Sequence, residues 1–137
     1  ELAPLVADSE REGFGFLARL RREFEGGGNR FDAPGEALLG CWMGAELVAV
    51  GGLNRDPYSP DPRVGRLRHL YVRRDFRRGG VGRTMVEALV AAARPHFGVL
   101  RLRTDTEAAA RFYEALGFEP VASPHATHRR ALAGPAS

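Results

Sequence analysis

Arg73-Arg74-Asp75-Phe76-Arg77-Arg78-Gly79-Gly80-Val81-Gly82-Arg83-Thr84 is the stretch whose reading decides the fold. Just upstream, Val64–Val72 is β-branched and apolar enough to predict a strand that ends in Leu70-Tyr71-Val72. Downstream, Val81, Met85, Ala88, Leu89 and Ala92 recur at steps of four, three, one and three, which marks one face of a helix. Pro95 stops that helix. A charged, glycine-ending loop therefore joins a strand to a helix. The first turn of a helix carries backbone N–H groups without internal partners and the positive end of the dipole. Glycines let a bulky anion approach those groups, and arginines flank them on both sides. The segment is built to cradle a diphosphate.

Two nucleotide loops are excluded. A Walker loop needs lysine before Ser/Thr, and this chain has no lysine: all twenty basic residues are arginine. A dinucleotide fingerprint starting at Gly80 needs glycine at position 85, where Met85 stands. It also wants an acidic residue at the end of the next strand, where Arg103 and Thr104 stand. The remaining pattern is Arg77-x-x-Gly80-x-Gly82 behind a strand.

Working outward, Val99–Thr104 alternates and predicts a strand, and Glu107–Leu116 predicts a helix. Thr106 or Asp105 is placed to cap that helix and Gly117 to terminate it. Phe118–Ala122 and Thr127–Ala133 predict two last strands. Toward the N-terminus, Asp8–Glu25 predicts a helix ended by Gly26–Gly28, and Asn29–Gly35 a loop. Ala37–Met43 and Glu46–Leu53 predict a hairpin around Gly44-Ala45, followed by a loop over Asn54–Pro62. The order predicts a mixed α/β (α+β) domain with helices over a central sheet.

The chain has 137 residues, 44% hydrophobic and 27% charged, which fits a single domain over 1–137 with one core. It opens at Glu1 rather than methionine, which leaves the native start open. No apolar run reaches eighteen residues, so no membrane span is expected. A lone cysteine, Cys41, rules out an internal disulfide and reads as a buried thiol in a cytoplasmic protein. The net charge of +3 is too modest to predict nucleic-acid binding, and only Phe76 interleaves the arginine run. No membrane or nucleic-acid partner is expected. His125 and His128 lie three apart with no third ligand, so no metal site is expected.

The loop resembles motif A of the GNAT acetyltransferase superfamily. A second match strengthens the resemblance: Ala109-Ala110-Arg111-Phe112-Tyr113-Glu114-Ala115-Leu116-Gly117-Phe118 looks like motif B, whose tail reads A-x-x-F-Y-x-x-L-G-F. Together they cover Leu67 to Phe118. The resemblance implies a GNAT fold, a mixed sheet of about six strands flanked by helices, with a splayed strand pair holding acyl-CoA. It implies acetyl-CoA as cosubstrate, no metal, and an amine acceptor, in a monomer or homodimer.

By that likeness, Leu70, Tyr71 and Val72 meet the pantetheine arm, with the N–H of Tyr71 or Val72 polarising the thioester carbonyl. Backbone amides of Arg78, Gly79, Gly80, Val81, Gly82, Arg83 and Thr84 bind the pyrophosphate, helped by the Arg77, Arg78 and Arg83 side chains. Tyr113 protonates the departing thiolate and Phe112 takes the core. An unperturbed phenol gives up its proton to a thiolate uphill by roughly two kcal/mol, so positioning must help. Thr106 stands where the family often has asparagine, which weakens the carry-over at that position.

The amine must lose a proton before it attacks. His69, on the strand with Leu67 and Tyr71 sharing its parity, has a suitable ordinary pKa. Asp56 and Glu46 are fallback bases, both equally readable as solvent-facing. Asn54 and His128 are acceptor-side candidates. A non-catalytic acyl-CoA-binding domain is the alternative, and Tyr113 argues against it in part.

Overall fold

The computed structural model describes residues 35–43, 46–77 and 79–132. The expected helix over Asp8–Glu25, its glycine stop, most of the loop after it, the Gly44-Ala45 turn and Arg78 lie outside the described residues.

Among the described residues, six strands form one sheet: β1 Ala37–Met43, β2 Glu46–Arg55, β3 Val64–Val72, β4 Val99–Leu102, β5 Glu119–Pro120 and β6 His128–Ala131. Two helices are described with them, α1 Val81–Ala93 between β3 and β4, and α2 Glu107–Ala115 between β4 and β5. The strand order is β1-β2-β3-β4-β6-β5. All neighbours are antiparallel except β3 and β4, whose connection through α1 makes them parallel. Strands β1 and β3 have the expected bounds. Strand β2 runs two residues further than expected, because Asn54 and Arg55 still pair with Arg66 and Gly65.

Strand β2 lies inside the sheet between β1 and β3, buried without a break from Leu47 to Asn54. That is why it reads as a continuous apolar run rather than an alternating one. Helix α1 buries Met85, Val86, Leu89, Val90 and Ala93. The expected stripe named Ala88 and Ala92 instead. Ala88 faces solvent and Ala92 is half-buried, because the buried face is centred one residue further along the helix.

The helix-bearing face is packed close. A Cβ on Gly51 would lie 2.9 Å from Leu89 Cδ1, and one on Gly65 would lie 2.7 Å from Phe97 Cδ2 and 2.8 Å from Leu100 Cδ2. Those partners are fully buried, so they have little room to give.

Helix α2 is defined at both ends by its own sequence. Thr106 Oγ1 accepts from Ala109 N–H at 3.1 Å, the expected cap. Gly117 takes φ +91°, Gly117 N–H donates to Glu114 O and Phe118 N–H to Tyr113 O. This is a Schellman stop, and its usual apolar contact is the Tyr113–Phe118 ring pair at 5.6 Å. The stop explains the spacing of Tyr113, Gly117 and Phe118 in the sequence.

Cys41 is half-buried in β1, not the fully buried thiol expected. Replacing Gly65 by Ala should cost about 1–3 kcal/mol of stability by overpacking, read as a shift in the denaturation midpoint at unchanged m-value.

Candidate functional site

Strands β3 and β4 pair only over Val64–Arg66 against Val99–Arg101. Beyond that point β3 continues to Val72 with its β4-side edge unpaired by the sheet, and the two strands part. A cavity of about 780 Å³ opens along this edge. It is lined from β3 by residues 66–72, from α1 by Gly82 and Arg83, and from α2 by Phe112 and Tyr113.

A bulge shapes the β3 wall. Opposite β2, Tyr71 faces Val50 and Arg68 faces Gly52, so His69 and Leu70 together stand against Gly51. His69 takes up the extra residue with φ +59°, a conformation that a non-glycine rarely adopts and that marks a constrained position. The bulge breaks the expected parity. Leu67 shares the α1 side with Leu53, whereas Tyr71 shares the opposite side with Arg68. No periodicity in the sequence shows that break.

The same alternation settles which amide faces the cavity. Arg73 N–H donates to Val48 O across the β2 side at 2.8 Å. Its neighbour Val72 therefore turns its N–H and C=O toward the unpaired edge. Arg77 Nε takes the Val72 carbonyl at 2.9 Å, and its guanidinium lies 5.2 Å from the Tyr71 ring centre. Arg77 thus ties the loop to the end of β3 while lining the cavity.

At the α1 end, Gly80 is the N-cap with φ +83°, a left-handed position suited to glycine. The helix has no side-chain cap and no acidic residue in its first turn. Thr84 N–H already donates to Gly80 O at 3.0 Å, so it leaves the expected anion-binding set. Val81, Gly82 and Arg83 keep amides without an intrahelical partner. A Cβ at Gly82 would lie 3.2 Å from Phe112 Cζ, so glycine is what lets α2 come up against the loop. Gly80, Gly82 and Arg83 line the cavity; Gly79 and Val81 do not.

Tyr113 and Phe112 both line the cavity and both pack on the core. The expected division, Phe112 to the core and Tyr113 to the site, is therefore replaced by a shared position. Their rings meet edge-on at 5.1 Å. Burial pushes the Tyr113 phenol well above its ordinary pKa, so it holds its proton.

His69, Leu70, Tyr71, Val72 and Thr106 also line the cavity. Asn54 and His128 do not. Asn54 is buried in β2 opposite Arg66. His128 is buried toward α2, its Nε2 2.8 Å from Glu114 and its Nδ1 3.0 Å from Thr127 Oγ1. The fallback bases fare no better. Asp56 is 1% exposed, the reverse of solvent-facing, and accepts Tyr58 N–H at 2.9 Å. Glu46 is exposed and paired with Arg73 at 2.9 Å.

Arg66, Arg68 and Arg103 line the cavity and were not foreseen. Their signal was present: arginines alternate at 66 and 68 on β3 and at 101 and 103 on and after β4. Among the described residues no group of three or more His, Cys, Asp or Glu is placed to hold a metal, and no helix is long and apolar enough to cross a membrane.

The acetyltransferase (GNAT) family model matches residues 5–118. A solved structure assigned as an acetyltransferase from Exiguobacterium sp. 255-15 superposes with a TM-score of 0.85 at 30% identity, covering 96% of this chain and 85% of that one. An acetyltransferase of the GNAT family from Staphylococcus aureus Mu50 gives 0.74 at 14% identity, over 94% and 88%. The ribosomal-protein-S18-alanine N-acetyltransferase from Escherichia coli gives 0.61 at 17%, over 82% and 79%, a likeness of fold alone. No curated protein sequence matches the chain. The splayed strands, the uncapped glycine turn and the two motifs lie within the span of the family model, and the chain belongs to the GNAT acetyltransferase family.

Proposed function

We propose that this protein transfers an acetyl group from acetyl-CoA to a primary amine by direct attack. One observation carries the reading: a single cavity runs along the unpaired edge of β3 and touches both the bare first turn of α1 and the Tyr113 ring. The cavity suits a long, thin ligand with a diphosphate at one end. The amides of Gly82 and Arg83 and the Arg83 guanidinium would hold that diphosphate. Gly82, with Phe112 across from it, keeps the approach clear. The free edge of β3 would pair with the amides of the pantetheine arm.

Acetyl-CoA supplies an activated acyl thioester. A backbone N–H on the cavity side of β3 would polarise its carbonyl. The C–N bond to the amine forms as the C–S bond breaks. The amine's extra proton leaves through His69 or water, and the sulfur takes the Tyr113 proton. The raised phenol pKa makes this last transfer steeper than for a free phenol. The same apolar surroundings also raise the thiolate's affinity for a proton, which offsets part of that difference. Asn54 and His128 have no part in this scheme.

Titration calorimetry should show saturable binding of acetyl-CoA and CoA. Gly82→Glu should weaken it by roughly a hundredfold or more, since the new carboxylate meets both Phe112 and the phosphates. Absence of binding to the folded parent protein would overturn the reading. With an amine panel and thiol release as readout, Tyr113→Phe should lower kcat by roughly a hundredfold, with the Kd for acetyl-CoA little changed. Full turnover in that variant, with chemistry rate-limiting, would remove Tyr113 from the mechanism. Binding with no thiol release for any amine would favour the non-catalytic alternative.

The pH profile follows from the same residue. A phenol raised above its ordinary pKa stays protonated throughout the working range. The rate should therefore rise with pH as amine and base deprotonate, with no falling limb below about pH 10. A falling limb between pH 7 and 9 would contradict Tyr113 as the acid.

A further inference from the structure

At its end away from the phosphate loop, the cavity is walled by guanidinium groups. Arg66 and Arg68 come from β3, and Arg103 follows β4. Register places Arg66 beside Arg101, so Arg66, Arg68, Arg101 and Arg103 share the sheet face opposite α1. With the His69 bulge taken out, Arg66 stands five ladder steps before Val72, or about 17 Å along the strand. That distance puts it beyond easy reach of a diphosphate at the first turn of α1.

These charges are poorly compensated. Asp56 is shared, with Oδ1 3.9 Å from Arg66 and Oδ2 4.0 Å from Arg101, both beyond hydrogen-bond range. Asp105 lies 3.6 Å from Arg103. Among the described residues, four guanidiniums thus meet two carboxylates. The Arg66 side chain is only 9% exposed, and among the described residues its Nη1 has no hydrogen-bond partner. A buried, under-bonded cation is costly unless something else completes it. Burial is also the chief cause that lowers the Arg66 pKa; Asp56 opposes it, and the Arg68 and Arg103 charges push the same way as burial. The Tyr58 ring lies 5.1 Å from the guanidinium and is itself stacked on His125 at 4.1 Å, so the group is held in place.

We infer that this end of the cavity is the acceptor subsite and that it takes a small amine bearing an oxyanion, carboxylate or phosphate, clamped by Arg66, Arg68 and Arg103. A guanidinium fork matches either anion in two-point geometry. The amine would then be presented toward the thioester while the acid group completes the arginine cluster. The assignment rests on the acetyltransferase reading for its chemistry, but the anion subsite has a test of its own.

Matched acceptors separate the possibilities: glycine, alanine and β-alanine against their amides, and phosphoethanolamine against ethanolamine. With thiol release as readout, the anionic member of at least one pair should be preferred by roughly tenfold to a hundredfold in kcat/KM, and the preferred pair tells carboxylate from phosphate. Arg68→Ala should erase that preference through the acceptor KM, with the acetyl-CoA Kd unchanged. Arg68→Glu should reverse it. Arg66→Met, which keeps an apolar stem in the buried place, should act like Arg68→Ala if it folds; the Arg68 pair decides the matter if it does not. Equal rates for charged and uncharged members in every pair would overturn the inference. So would loss of acetyl-CoA binding in Arg68→Ala, which would assign the guanidiniums to the cofactor. The same pairs titrated calorimetrically, with and without CoA, read the subsite without turnover. Binding of an acid but not its amide, lost in Arg68→Ala, would uphold the anion subsite even if no thiol were released. No binding of any acid together with no turnover would overturn it.

Discussion

Everything at the site depends on where β3 and β4 stop being neighbours. They share three residue pairs, Val64–Arg66 with Val99–Arg101, and then separate. A parallel sheet interior normally has no such gap, because each unpaired backbone group loses a hydrogen bond. Here β4 no longer pairs with β3 beyond Arg66, and side chains from elsewhere stand along the opening. Arg77 takes the Val72 carbonyl. Phe112 and Tyr113 hold α2 against the gap. The cost of an unpaired edge is localised where an extended ligand with its own amides can offset it.

Both walls of the gap are fixed by short-range devices. On the β3 side, the bulge at His69 shifts the strand's faces by one, so that Tyr71 joins Arg68 rather than Leu67. On the α2 side, the Thr106 cap and the Gly117 stop set the helix length to nine residues. Phe118, brought round by the Gly117 turn, then pins Tyr113 from its C-terminal side: its N–H donates to Tyr113 O and its ring meets the Tyr113 ring. The proposed proton donor is thus positioned by a helix terminator, and the proposed anion cradle by the start of α1. Each end of the site is a helix end.

Much of this was legible in the sequence because it is local. A strand running into Arg77-x-x-Gly80-x-Gly82 and then an amphipathic helix can be read without knowing what packs where. So can the Thr106 cap, the Gly117 stop and the bounds of β1 and β3. The places where expectation and structure differ involve residues far apart in the chain. Asp56 looked solvent-facing because its neighbours are prolines and polar residues; Arg66 and Arg101 come from other strands to bury it. His128 looked like an acceptor contact and instead meets Glu114 of α2. The arginines at 66, 68 and 103 have nothing local to mark them as site residues, and the splay makes them a wall of the cavity.

The sequence by itself determined the glycine turn that opens α1, the cap and stop of α2 and the place of Tyr113 four residues before that stop, since those follow from hydrogen bonds and φ preferences within a few residues. The tertiary structure alone decided what the cavity's far end is made of. Which face of β3 a side chain occupies depends on a one-residue bulge, and which charges compensate one another depends on strands brought together by the sheet. Neither quantity has a period or a spacing that a linear chain displays.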